Sequence, residues 1–199
     1  MVSLDNIHVV GSFYMGLHGG FKPEPRAFIH YLKANGLKPK KIFFLGNRLV
    51  DMELADKLSK RLDCKSFKCL LLRGNLTSLG QKKADAIAKN LWTARQLIDK
   101  FKPDLVMSDF DNTLVSSGYS SVESIVESTR FWERHSRNRL LRALYSLGSQ
   151  LSIPFIRRRP YNNRYDNTES FIKTLKTPLL IHSMSPELVI AKTIKEIIK

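Results

Sequence analysis

Five short runs in this chain are apolar on both odd and even positions over most of their length: Ile7–Ser12, Ile42–Gly46, Phe67–Arg73, Asp104–Asp109 and Pro178–Ser183. A strand with one wet face alternates, so runs that fail to alternate read as strands covered on both faces. Amphipathic helical patterns lie between them. Pro25–Asn35 gathers Phe28, Ile29 and Leu32 on one face and stops at Gly36. Asp51–Leu62 carries Leu54, Ala55, Leu58 and Leu62, and Lys82–Phe101 carries Ala86, Ile87, Leu91, Ala94, Leu97 and Ile98. Pro186–Ile198 opens on a proline suited to a first helical turn. Strands alternating with helices make βαβ units. The expectation is an α/β fold: a three-layer, Rossmann-like parallel sheet of five strands with helices on both faces.

The alternation breaks between about Gly118 and Lys176. Val122–Gly148 reads as helical, Pro154 and Pro160 flank the run Arg157–Arg159, Tyr161–Asn167 is turn-prone, and Thr168–Leu175 reads as a second short helix. This predicts a core of residues 1–118 and 177–199 with an insertion, 119–176, between two of its strands. A chain of 199 residues with 43% hydrophobic and 26% charged residues is long enough for a packed core and excludes wholesale disorder. No apolar run approaches the roughly 18 residues of a membrane span, so no membrane association is expected. Met1–Asn6 lacks the basic-then-apolar pattern of a signal peptide. Cys64 and Cys69 make no disulfide framework and are expected as reduced thiols, which predicts a cytoplasmic location.

Charge narrows the ligands. Lys and Arg number 33 against 18 Asp and Glu, a formal +15. Such a balance favours polyanions or phosphorylated ligands, although part of it can be a solvated surface. Residues 116–176 are the densest segment, and nine of their eleven basic residues are Arg. Arg forks suit phosphate and carboxylate.

The sharpest chemical feature is Asp109-Phe110-Asp111-Asn112-Thr113, directly after the apolar run Asp104–Ser108. Ligands of open α/β sheets bind at the carboxyl ends of strands. Two carboxylates two residues apart there can converge on one site, one attacking as nucleophile while the other moves a proton. On a phosphate ester neither role works without charge neutralisation, so a hard cation with oxygen ligands is expected. A plain strand followed by an Asp/Asn turn would carry the same residues.

The chain resembles the haloacid dehalogenase superfamily of phosphohydrolases. The resemblance covers residues 7–60, 104–118 and 178–198. Val106–Thr113 is similar to the family's first motif, an apolar strand ending in D-x-D-x-T. This implies Asp109 as the nucleophile that forms an aspartyl-phosphate and Asp111 as general acid and base. It also implies Asp111 as a Mg²⁺ ligand through its carbonyl, Thr113 as a turn-orienting residue, and Asn112 beside it in the phosphate-binding turn. Leu179–Ser183 is similar to the second motif, implying that Ser183 binds the phosphoryl group. Lys22-Pro23-Glu24-Pro25-Arg26-Ala27-Phe28 resembles the third, implying that Lys22 neutralises nucleophile and phosphate. Phe43–Asp51 resembles the fourth, usually G-D-x-x-x-D but here Gly46-Asn47 with Asp51 four residues on, implying Asn47 and Asp51 as metal ligands with Asp109 and Asp111. Asn47 offers an oxygen without a charge. Asp51 could equally be a helix N-terminal acid.

The motifs run third, fourth, first, second, which implies a circular permutation of the family order. Residues 119–176 then fall where the family places a small helical cap. A lid excludes water and reads the leaving group. Arg157, Arg158, Arg159 and Arg164 on it would meet a further anionic group, and Tyr161 and Tyr165 could stack on a ring. The expectation is a Mg²⁺-dependent phosphatase acting on a phosphorylated small molecule or nucleotide. The alternative is a catalytically weak or inactive relative that binds nucleic acid or protein. The five histidines are scattered without zinc-site spacing, and His182 reads as a packed strand residue. Trp92 and Trp132 read as packing residues, and Gly16, Gly19 and Gly20 as a flexible segment before Lys22.

Overall fold

A computed structural model describes residues 6–72, 78–117, 138, 140–144, 147, 158–160 and 168–198. In chain order the elements are β1 (Ile7–Val10), α1 (Ser12–Leu17), α2 (Arg26–Ala34), β2 (Lys41–Gly46), α3 (Leu49–Leu62), β3 (Lys65–Leu71), α4 (Ser78–Lys83), β4 (Ala86–Ala88), α5 (Leu91–Phe101), β5 (Leu105–Asp109), β6 (Val115–Ser117), β7 (Arg158–Pro160), α6 (Thr168–Thr174), β8 (Leu179–His182) and α7 (Glu187–Ile198). Six strands form one sheet in the order β1-β8-β5-β2-β3-β4. Every pairing in it is parallel.

The double apolar parity of the strands splits the core in two. Ile42 and Phe44 of β2, Leu105 and Met107 of β5 and Leu180 of β8 pack with Phe28 and Leu32 of α2 and Leu54 and Leu58 of α3. Their neighbours Phe43, Leu45, Val106, Leu179 and Ile181 point the other way, onto Ala94 and Ile98 of α5, Phe171 of α6 and Ile190 and Ile194 of α7. Successive side chains of a strand face opposite sides, so each run feeds both layers. The three-layer parallel arrangement matches the expectation.

Three expectations fail in detail. The sheet has six strands rather than five, because Ala86–Ala88 pairs with β3 instead of joining the predicted helix Lys82–Phe101. Asp85 locks that strand start. Its backbone N–H bonds Lys68 O at 2.8 Å and its Oδ2 accepts from Lys68 N at 2.7 Å. Helix α5 begins afresh behind Asn90, whose Oδ1 accepts from Thr93 N at 2.8 Å as an N-cap. Trp92, one residue inside that helix, is 69% exposed rather than packed; Trp132 lies outside the described residues. The first predicted strand is shorter, since Ser12–Leu17 turns helical at Gly11. Glu187 Oε1 accepts from Gly11 N (3.0 Å) and Tyr14 N (2.7 Å) and so satisfies the start of α1.

β2 leads into α3 on one face of the sheet, whereas the chain leaving β5 returns through α6 on the other. Adjacent strands that depart to opposite faces open a crevice at their carboxyl ends. The predicted insertion contributes β7, which pairs antiparallel with β6, and a helical stretch at 140–144. Arg142 Nε of that stretch donates to Gly16 O of α1 at 3.3 Å. Among the described residues no helix is long and apolar enough to cross a membrane.

Candidate active site

Asp109 is the last residue of β5, in the middle of the sheet, and is 4% exposed. Phe110, fully buried, anchors the chain as it leaves the strand. Its carbonyl accepts from Leu114 N at 2.9 Å, and Asn112 N donates to Val115 O at 2.7 Å. This tight turn puts Asn112 at a φ of 57°, a left-handed conformation that Asn tolerates better than most residues. Inside the turn, Thr113 Oγ1 donates to Asp109 Oδ2 at 3.3 Å. Thr113 thus holds one carboxylate oxygen of Asp109 from within the turn.

Lys22 reaches the same carboxylate from the other side. Gly19 and Gly20 hold φ values of 128° and 120°, where a side chain would be strained, and Phe21 plugs into the core. The glycine segment is thus a defined turn that delivers Lys22 to the crevice. Lys22 Nζ lies 2.6 Å from Asp109 Oδ1 and 2.9 Å from Asp51 Oδ1. Asp51 sits in the first turn of α3, and its second oxygen, Oδ2, accepts from Arg48 N at 3.2 Å. One oxygen of Asp51 thus caps the helix while the other meets Lys22.

Asp111 has different company. Ser183, immediately after β8, donates its hydroxyl to Asp111 Oδ2, and Ser185 Oγ donates to the same oxygen at 2.8 Å. Ser185 N in turn donates to Ser183 Oγ at 2.9 Å. Ser183 lies where the sequence places it, with its hydroxyl engaged by Asp111. Asn47, just past β2, crosses the crevice: its Nδ2 donates to Asn112 O at 3.2 Å.

Lys22, Asn47, Asp51, Asp109, Asp111, Asn112, Thr113 and Ser183 thus converge at one edge of the sheet. Arg157 and Arg164 lie outside the described residues. Arg158 and Arg159 belong to β7, opposite Ser117 and Ser116 of β6. Two residues escaped the sequence analysis. Ser185 is one, and its signal was the pair Ser183-x-Ser185 straddling the turn into a helix. His182 is the other: it packs edge-on against Phe28, as expected of a strand residue, but its Nδ1 also comes within 3.9 Å of Asp109 Oδ1.

The electrostatics are lopsided. Burial pushes the Asp109 carboxyl up to about 7, with Asp51 and Asp111 adding to the rise and Lys22 opposing it. Burial works against the charge on Lys22, yet Asp109 and Asp51 together hold its pKa above the usual lysine value. Burial, and then the Lys22 charge, push His182 well below the usual imidazole range. Two buried carboxylates therefore share one ammonium, with a third, Asp111, close enough to act on Asp109.

That imbalance suits a cation, and one further observation supports it. Asn47 Oδ1 is buried and has no hydrogen-bond partner among the described residues, so a carbonyl oxygen is left for a hard ion. The residues present therefore fit a divalent cation. Comparison with protein-family models, with curated proteins and with solved structures returned no match.

Proposed function

We propose that this chain is a divalent-cation-dependent phosphatase that forms an aspartyl-phosphate on Asp109. The observation that carries the reading is the different company of two neighbouring carboxylates. Asp109 faces an ammonium at 2.6 Å, whereas Asp111 faces the hydroxyls of Ser183 and Ser185. Carboxylates in contrasting environments are suited to different roles. Asp109 attacks phosphorus and the bond from phosphorus to the leaving oxygen breaks, while Asp111, as the acid, protonates that oxygen. Asp111 then takes a proton from water, which attacks phosphorus and releases Asp109. Lys22 Nζ has three N–H donors beside both carboxylates, and it turns them to a phosphoryl oxygen when a cation takes its place between Asp51 and Asp109. A bound Mg²⁺, held by Asp109, Asp111, Asn47 and Asp51, supplies the remaining charge neutralisation. The chemistry, the order of the motif residues and the central place of β5 are what support kinship with haloacid dehalogenase phosphohydrolases in permuted form. The substrate class is a phosphorylated small molecule or nucleotide, with Arg157, Arg158, Arg159 and Arg164 as candidate contacts to a second anionic group. Replacing Asp109 with Asn should abolish Mg²⁺-dependent hydrolysis of a generic aryl phosphate; activity at the wild-type level would refute the assignment.

One observation favours nucleic-acid binding as a second reading. Lys38, Lys40, Lys65, Lys100, Lys102 and Lys176 are all exposed and flank the opposite, amino-terminal edge of β2, β3, β5 and β8. The carboxylate of Asp104 on that edge is taken by the N–H groups of Lys40 and Lys41, at 2.9 Å each. The large exposed hydrophobic residues lie elsewhere, which favours a phosphate backbone over a membrane surface. Binding of a fluorescent oligonucleotide that weakens steeply with salt, and that persists in Asp109→Asn, would support this reading. No binding at low salt would remove it.

A further inference from the structure

His182 takes no part in the scheme above. It closes β8, is 1% exposed, and its Nδ1 is buried without a hydrogen-bond partner among the described residues. A buried ring nitrogen left in this state costs about 1–3 kcal/mol, so its retention beside the nucleophile calls for an occupant. A neutral imidazole has a ring-nitrogen lone pair to give there.

The donor atoms of Asp51, Asp109 and His182 all lie within 4.8 Å of one another, and all three residues are buried. Ligands held about 2.0–2.2 Å from a tetrahedral ion stand roughly 3.3–3.6 Å apart, so this set would close by up to about 1.5 Å to surround one ion. The Lys22 ammonium, in contact with Oδ1 of both Asp51 and Asp109, marks where positive charge already settles. Its stem is flexible and can withdraw. The donor set also discriminates. Mg²⁺ prefers oxygen ligands and keeps several waters, whereas an imidazole nitrogen favours first-row transition ions.

We propose that Asp51, Asp109 and His182 form a mixed oxygen–nitrogen site for a first-row transition-metal ion such as Mn²⁺, Co²⁺ or Zn²⁺, which the Lys22 ammonium vacates on binding. This deepens the proposed function by naming a cofactor class for the same crevice. It stands on the geometry of three side chains and is measured without substrate. A chain that binds Co²⁺ through His182 yet hydrolyses no phosphate keeps the site and loses the phosphatase. Mg²⁺-dependent hydrolysis without selective Co²⁺ binding does the reverse.

The test is calorimetric titration of the full chain with Co²⁺ and, separately, Mg²⁺ at pH 7.5, together with pulsed electron paramagnetic resonance of bound Mn²⁺. Co²⁺ should bind one per chain and about 100-fold more tightly than Mg²⁺, and bound Mn²⁺ should show ¹⁴N coupling. His182→Phe and His182→Asn should each weaken Co²⁺ about 10-fold or more while leaving Mg²⁺ binding in place. Lys22→Met, which removes the competing cation, should tighten Co²⁺. His18, half-buried, and His30, exposed, form a stacked pair outside the crevice, their ring centroids 4.0 Å apart. His18→Gln with His30→Gln should therefore leave the tight Co²⁺ site and the ¹⁴N coupling unchanged. Equal affinity for Co²⁺ and Mg²⁺, absence of ¹⁴N coupling, or wild-type Co²⁺ affinity in folded His182 variants would overturn the proposal. Should neither His182 variant fold, the coupling in the His18→Gln, His30→Gln chain decides.

Discussion

Removing a charge from the crevice should have opposite consequences depending on which charge is removed. Lys22 Nζ sits 2.6 Å from Asp109 and 2.9 Å from Asp51, and all three side chains are at most 8% exposed. Two carboxylates against one ammonium leave one excess negative charge, with Asp111 close by. Lys22→Met strips the cation and strands both carboxylates, and removing one partner of a buried pair costs about 3–5 kcal/mol. Asp109→Asn leaves a balanced Lys22–Asp51 pair and spares the burial of a carboxyl already pushed up to about 7. A lost charge-assisted hydrogen bond is offset by that relief, so its stability should stay within about 1 kcal/mol of wild type. The assay is urea unfolding at pH 7.5 with a chelator present, read as a midpoint shift at constant slope. The pH dependence has a definite sign. Asp109 in the folded state holds its proton up to about pH 7, whereas the unfolded carboxyl releases it near 3.8. Its contribution is therefore fully present below the lower value and is lost as pH rises through the upper one. Asp109→Asn should flatten that part of the profile. A loss of 3 kcal/mol or more in Asp109→Asn (about the low end of the range for a broken buried pair) would refute the reasoning. So would a harmless Lys22→Met. The first result would mean that Asp109 is there to hold the fold together, the second that its burial does not depend on the Lys22 charge.

Other consequences are as specific. A Cβ at Gly46 would stand 2.5 Å from Asp51 Cβ; Gly46→Ala should push Asp51 off Lys22 and cost about 1–3 kcal/mol in thermal or urea unfolding. Ser185→Ala removes one of the two hydroxyls that orient Asp111, and it should lower kcat by up to about 100-fold with KM little changed. Burial pushes the Cys69 thiol up to about 12, while Cys64 is half-buried and less shifted. Mass spectrometry after a brief pulse of iodoacetamide at pH 8 should find Cys64 alkylated well before Cys69.

Much of the architecture is legible in the sequence because its signals are local. Phe43 and Leu45 face one layer, and Ile42 and Phe44 the other. A run apolar on both parities has nowhere else to go than the middle of three layers. The short strand β4 was not legible. Ala86–Ala88 fits a helix as well as a strand, and what decides is Asp85 bonding to Lys68, 17 positions earlier. Trp92 misleads for a related reason: a large apolar residue predicts burial only on average, and its place on α5 turns it to solvent.

The site divides the same way. The residues proposed for its chemistry, from the Asp109–Thr113 turn to Lys22, Asp51 and Ser183, stand beside strand ends and helix starts that the apolar pattern locates. Their meeting is tertiary. Lys22 and Asp109 are 87 positions apart, Asn47 and Asn112 are 65 apart, and Ser185 and Asp111 are 74 apart. Parallel strands about 4.8 Å apart bring carboxyl ends together whatever their order in the chain, so the sequence by itself determined which groups reach that edge. Only packing decided their partners. It set Lys22 between two carboxylates, turned Ser183 toward Asp111, and left His182 Nδ1 near Asp109 without a hydrogen-bond partner among the described residues, because side-chain direction and burial depend on neighbours that no local run of residues contains.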